Sequence, residues 1–114
     1  MATVSPTVQI IGGDPFVTWE AIATGDTIVS YSPSDKQGLA FGFQVTGTFG
    51  GATVTLEASN DGSTWFELTD TSLSAISATA DAYFDGGSAA RYFRPAISGG
   101  TSDDVDVVMS LRGS

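Results

Sequence analysis

LAFGFQVTGTFGGATVTLEAS (residues 39–59) is written with a period of two. Phe41, Phe43, Val45 and Phe49 fall on one side of an extended chain, with Gly47 in the same register; Gln44, Thr46 and Thr48 fall on the other. After the glycine pair the alternation resumes, with Val54, Leu56 and Ala58 opposed to Thr53, Thr55 and Glu57. Successive side chains of a strand point to opposite faces, so this pattern lays one face on a core and leaves the other to solvent or a neighbour. DVDVVMSLR (104–112) repeats it, with Val105, Val107, Met109 and Leu111 on one face.

Working outward, the turn chemistry supports the strands. Gly50-Gly51 between two strands reads as a short hairpin. SNDGST (59–64) reads as a turn centred on Asn60-Asp61, with Gly62 free to take positive φ. Residues 38–69 therefore read as a three-stranded meander. The same signals place strands near 7–11, 16–23, 27–31, 39–48, 52–59, 63–69, 73–78, 91–98 and 104–112. The segment 69–90 is rich in Ala, Ser, Thr and Asp, and is expected to hold one short strand and a long surface loop. Lys, Arg, Glu and Gln, the good surface helix formers, are scarce. The expected fold is all-β: a single antiparallel β-sandwich, jelly-roll-like, over 7–114, preceded by an N-terminal arm at 1–6.

The chain has 114 residues, enough for one domain to bury about two thirds of its surface without covalent staples. It has no cysteine, hence no disulfide and no thiolate metal site. It has no histidine, the commonest general base and transition-metal ligand. Four cations, Lys36, Arg91, Arg94 and Arg112, stand against thirteen acids, for a net charge of −9. That balance repels nucleic-acid backbones and anionic lipid surfaces, so neither is expected as a partner. A partner should be neutral or basic, or should bind through apolar contact. No run approaches the length of a membrane span. The start, MATVSPTVQI, lacks the basic and apolar regions of a secretory signal, so synthesis in a cytoplasm is expected.

Three clusters are candidate sites. Asn60, Asp61 and Trp65 could form a ligand turn, with polar groups for sugar hydroxyls or Ca²⁺ and a ring for stacking; the same residues make a turn from backbone needs alone. Asp103, Asp104 and Asp106 bunch, but lack the glycine and distal glutamate of an EF-hand loop, and read as a solvated strand entry. No metal and no cofactor is expected. Arg91 and Arg94 in RYFRP (91–95) could grip a carboxylate on another protein or pair with this chain's own acids. Catalysis has little to stand on: Ser and Thr are plentiful, but a Ser-Lys pair would rest on Lys36 alone, so the expectation is a non-enzyme.

Three stretches occur in order: VTWEAIATGDTIVSYSPSD (17–35), FQVTGTFGGATVTLEASNDGSTWFEL (43–68) and RYFRPAISGG (91–100). Together they resemble small head decoration, or cement, proteins of tailed bacteriophages, which have β-sandwich folds. The matching elements are Trp19, Gly25 to Thr27, Gly47 to Val54, Ser59 to Trp65, and Arg91 to Pro95. The resemblance implies a structural virion protein, made in the host bacterial cytoplasm, that sits on the outside of the capsid. It implies binding to the major capsid protein and assembly as a homotrimer. Tyr31, Tyr83, Arg91, Tyr92 and Arg94 are the expected contact residues, from their type and placement. A tail or baseplate accessory is the neighbouring alternative. VTLEASNDGSTWFEL (54–68) is also similar to the strand-turn-strand of discoidin-like galactose-binding sandwiches, which would make Asn60, Asp61 and Trp65 a carbohydrate site.

Overall fold

The structure is a computed structural model and describes residues 2–12, 14–33 and 39–112. Lys36 lies outside the described residues. In chain order the strands are β1 (Thr3–Val4), β2 (Thr7–Ile11), β3 (Asp14–Ile22), β4 (Thr27–Ile28), β5 (Leu39–Thr48), β6 (Thr53–Ser59), β7 (Phe66–Glu67), β8 (Ser77–Ala78), β9 (Ala82–Ser88), β10 (Tyr92–Ser98) and β11 (Asp104–Arg112). They form an antiparallel, jelly-roll-like β-sandwich. The larger sheet has the order β2-β3-β11-β5-β9. The smaller runs β10-β6-β7, with β8 on the same flank of β6 as β7. Tyr31 and Phe93 exchange two backbone hydrogen bonds of 2.8 and 2.9 Å, which ties the segment after β4 to the edge of β10.

The period-two residues fill the space between the sheets. Phe41, Phe43 and Val45 of β5 meet Val105, Val107, Met109 and Leu111 of β11 and Val17, Trp19 and Ile22 of β3. Val54, Leu56, Ala58 and Phe93 close the layer from the smaller sheet. Phe41 and Phe93 touch across it, ring centroids 6.2 Å apart and tilted by 59°, an arrangement that aromatic pairs prefer to a stacked sandwich. Trp19 is fully buried, and its indole N–H donates to the Val29 carbonyl at 2.8 Å.

Gly50-Gly51 does not make a hairpin between sheet neighbours. It carries the chain from β5 in the larger sheet to β6 in the smaller one, so residues 38–69 are not a three-stranded meander. The turn itself is tight: Ala52 N–H donates to Phe49 O at 2.8 Å, and Gly50 and Gly51 have φ of 56° and 88°. The flanking residues decide its direction. Phe49 and Ala52 are both buried, so the turn folds over the end of the core rather than projecting beyond it. The loop from β10 to β11 crosses at the same end, and Thr101 N–H donates to Gly50 O at 3.0 Å.

Other elements also depart from the sequence expectation: the strands expected at 63–69 and 73–78 shorten to Phe66–Glu67 and Ser77–Ala78. Thr3–Val4, within the expected arm, pairs in parallel with Thr27–Ile28, and Val4 packs on the core. The stretch 82–88 is a full strand rather than loop, with Ala82 and Phe84 against the core. Its Gly86 is buried because the Phe41 ring occupies the space where a side chain would begin. Gly86→Ala therefore overpacks the core and should cost about 1–3 kcal/mol of stability, read from denaturant melts.

Candidate functional site

Alternation on β6 and β10 turns Glu57, Tyr92, Arg94 and Ala96 to the outside of the smaller sheet. The register sets Arg94 directly opposite Glu57, and Tyr92 opposite Ser59. Arg94 Nε donates to Glu57 Oε1 at 2.9 Å, and the half-buried guanidinium carbon lies 4.0 Å from the centroid of the Trp65 ring. The ring face attracts the cation, worth about 0.5–1 kcal/mol at partly exposed sites. Glu57 also stands opposite Glu67 of β7, so Arg94 offsets a like-charge pair. Among the described residues only Nε of Arg94 is engaged by a hydrogen bond. The terminal nitrogens keep their donors, beside a cleft of about 230 Å³ lined in part by Asp26, Ile28, Glu57 and Ile97.

The turn at 59–65 holds Trp65 in this position. The β6–β7 register closes at Ala58 and Phe66, which leaves a seven-residue loop from Ser59 to Trp65. Asp61 organises it from within. Its Oδ1 accepts from the backbone N–H of Ser63 at 2.8 Å, from Thr64 N–H at 2.9 Å and from the Ser59 hydroxyl at 2.9 Å. The Thr64 and Ser63 amides, with the Ser59 hydroxyl, hold the Asp61 carboxyl below its ordinary value. Asn60 Oδ1 accepts from Arg91 N–H at 3.3 Å, tying the loop to the start of β10. Gly62 sits over the Tyr92 ring.

The expected site residues thus fall into three places. Trp65, Tyr92 and Arg94 lie together on the outer face of the smaller sheet. Asn60 and Asp61 line a different cleft, of about 390 Å³, between the loop and residues 88–90, with Phe66 and Leu68 as its apolar wall; Trp65 does not line it. Tyr83 is on the outside of the larger sheet, where its ring covers Gly42. A hydrogen bond to Asp85 and partial burial raise the Tyr83 phenol above its ordinary value. Tyr31 is half-buried at the flank of β10, and Arg91 is exposed at its start. Glu57 is the residue that sequence reasoning missed. The signal was present: Glu57 and Arg94 are the lone charges inside two otherwise uncharged strands.

The aspartate cluster holds loops. Asp103 Oδ2 accepts from the Thr24 hydroxyl at 2.6 Å and from Thr24 N–H at 2.9 Å; the Thr24 contacts lower its pKa. Asp106 stands opposite a bulge at Glu20–Ala21 and accepts Ala21 N–H at 2.8 Å, where Ala21 has φ of 55°. Among the described residues no group of three or more acids could hold a metal ion. Among the described residues no helix is long and apolar enough to cross a membrane.

No family model matches the chain, and no curated protein does. Among solved structures it is similar to a protein of the Bacillus endospore appendages, described as disulfide-linked pili: 14% identity, TM-score 0.50, covering 97% of this chain and 89% of that one. It is also similar to a cupin domain from Bordetella pertussis, at 15% identity and TM-score 0.45 over 98% and 96% of the two chains. A third is the adhesin domain of Lys-gingipain from Porphyromonas gingivalis, at 11% identity and TM-score 0.37 over 89% and 64%. At 14% identity the likeness to the appendage protein is one of fold alone.

Asp61 also sets an acid dependence. Its native pKa lies below the ordinary 3.8, so its stabilisation is fully present above that value and is lost as pH falls through the native one. Asp61→Asn should melt below the wild type at pH 6, and the gap should close as the pH is lowered toward 2.5. Thermal melts of both proteins across that range measure it.

Proposed function

We propose that this protein is a structural virion component, a capsid decoration protein that binds the outside of the major capsid protein lattice through the outer face of its smaller sheet. The observation that carries the reading is the Arg94 arrangement. Glu57 and the Trp65 ring fix the guanidinium before any partner arrives, so less side-chain entropy is lost on contact. A planar fork so held suits a carboxylate or a pair of carbonyl oxygens on a neighbouring subunit. Tyr92 supplies an adjoining aromatic surface, and aromatic and arginine anchors dominate the binding energy of protein interfaces.

The resemblance of the decoration proteins' Arg-Tyr-x-Arg-Pro strand to Arg91–Pro95 supports the same reading, because that strand carries Tyr92 and Arg94 on the outer face. The carbohydrate alternative asks Asn60, Asp61 and Trp65 to act on one ligand. The Asp61 oxygen Oδ1 is already occupied by three donors, and Trp65 is under Arg94.

Co-sedimentation with purified heads tests the proposal. Arg94→Ala should weaken binding by about 30-fold or more, with circular dichroism unchanged. Arg94→Lys should recover only part of it, because an ammonium cannot reproduce the fork. Binding that is indifferent to both substitutions would sink the reading. So would Trp65 fluorescence that responds to a saccharide while heads leave the protein in the supernatant.

A further inference from the structure

Sheet edges are where one chain can add to another, because their outward N–H and C=O groups have no partner in the sheet. Most edges here are short or covered. β7 and β8 have two residues each, and β1 covers β4. On the outer flank of β9, Thr71 N–H donates to Asp85 O at 2.9 Å. β2 is different. It is five residues long; among the described residues it pairs with β3 alone, and no hydrogen bond from another described element covers its free side.

The sequence of β2, TVQII, carries none of the usual protections of an edge: no charge, no lysine, no proline within the strand. Its register fixes which groups face outward. Ile10 stands opposite Pro15, which has no N–H, so that pair falls in the non-hydrogen-bonded class. Alternation then puts Val8 opposite Val17 in the same class, and the N–H and C=O groups of Val8 and Ile10 point away from β3. The side chains of Val8 and Ile10 share the core-facing side of the sheet with Val17 and Pro15, yet are 42% and 63% exposed. The smaller sheet does not reach over them.

We propose that β2 pairs with β2 of a second copy of this chain, antiparallel about a twofold axis at Gln9. That axis sets Val8 opposite Ile10 of the second copy and Ile10 opposite its Val8. The two pairs close about four backbone hydrogen bonds and join the ladders into one continuous sheet. The same pairs bring branched apolar side chains together on one face, and the two Gln9 amides meet on the other. The strip is its own complement: under that twofold both copies present the same uncharged strand, so the −9 on each chain, which makes copies repel where acids would meet, puts no acid within the pairing itself. Antiparallel pairing also sends the Asp14 that follows the β2–β3 turn to opposite ends of the joint. The inference does not rest on the capsid reading, and its twofold geometry stands in place of the threefold assembly implied by the resemblance.

Sedimentation equilibrium of the full chain, up to on the order of 1 mM, tests it together with hydrogen–deuterium exchange. The expected result is a dimer, with protection of the Val8 and Ile10 amides that grows with concentration. Ile10→Lys places a charge in the apolar strip at an exposed position, and should raise the dimer dissociation constant at least about tenfold without lowering the melting temperature. A wild type that stays monomeric throughout, a trimer, or a dimer whose β2 amides exchange freely would each overturn the proposal.

Discussion

Two sheets with one apolar face each must share a single slab of side chains, and this packing constraint governs nearly everything else in the molecule. It explains why the chain crosses between sheets where it does. β5 and β6 each need a partner face across the core, and the buried Phe49 and Ala52 at their junction pull the turn over the open end of the slab. A projecting hairpin would have left both in water. The second crossing, between β10 and β11, lies against the first through the Thr101–Gly50 hydrogen bond. Two backbone crossings thus close the sandwich at that end, over the buried Phe49.

Closing the loops requires acceptors for backbone N–H groups that no strand satisfies. Aspartate supplies them. Asp26 accepts from Ala2 and Ala23, Asp61 from Ser63 and Thr64, Asp70 from Ser72 and Ser74, Asp81 from Gly47, Asp103 from Thr24 and Asp106 from Ala21. Composition alone makes the acids look like a solubility device. Here Asp26, Asp61 and Asp70 serve donors in their own turns, which a short carboxylate side chain fits, while Asp81, Asp103 and Asp106 tie together segments distant in sequence. The negative charge of the surface follows from the way the loops are built.

What was legible in the sequence follows from the same physics. β5, β6 and β11 show clear alternation, and their bounds fall close to expectation. β9 was not legible because its inward residues are Ala82, Phe84 and Gly86, of which only one is large, and its Asp85-Gly86-Gly87 run looks like a turn. Glycine is needed there by Phe41, a residue of another strand, and no local pattern can report that. The Gly50-Gly51 turn was legible as a turn but not as a crossing, because the distinction depends on where Phe49 and Ala52 end up. By residue type Asn60, Asp61 and Trp65 fit either ligand groups or turn builders, and Asp61 has donors enough within its own loop to be the latter.

The site residues show a similar division. Arg94 and Tyr92 could be picked out by type, but the groups that give Arg94 its orientation come from two other elements, Glu57 on β6 and Trp65 in the loop before β7. Cross-strand register brings Glu57 and Arg94 together across 37 positions of sequence. Because Asp61 builds the loop that carries Trp65, the same turn that resembles a ligand motif acts on the outer face at one remove. The β2 edge belongs to the other sheet and uses backbone and apolar groups instead. The lattice contact proposed for the smaller sheet and the pairing between copies proposed for the larger one would therefore draw on different atoms. One protein can engage both, without either surface having to overcome the charge of the rest.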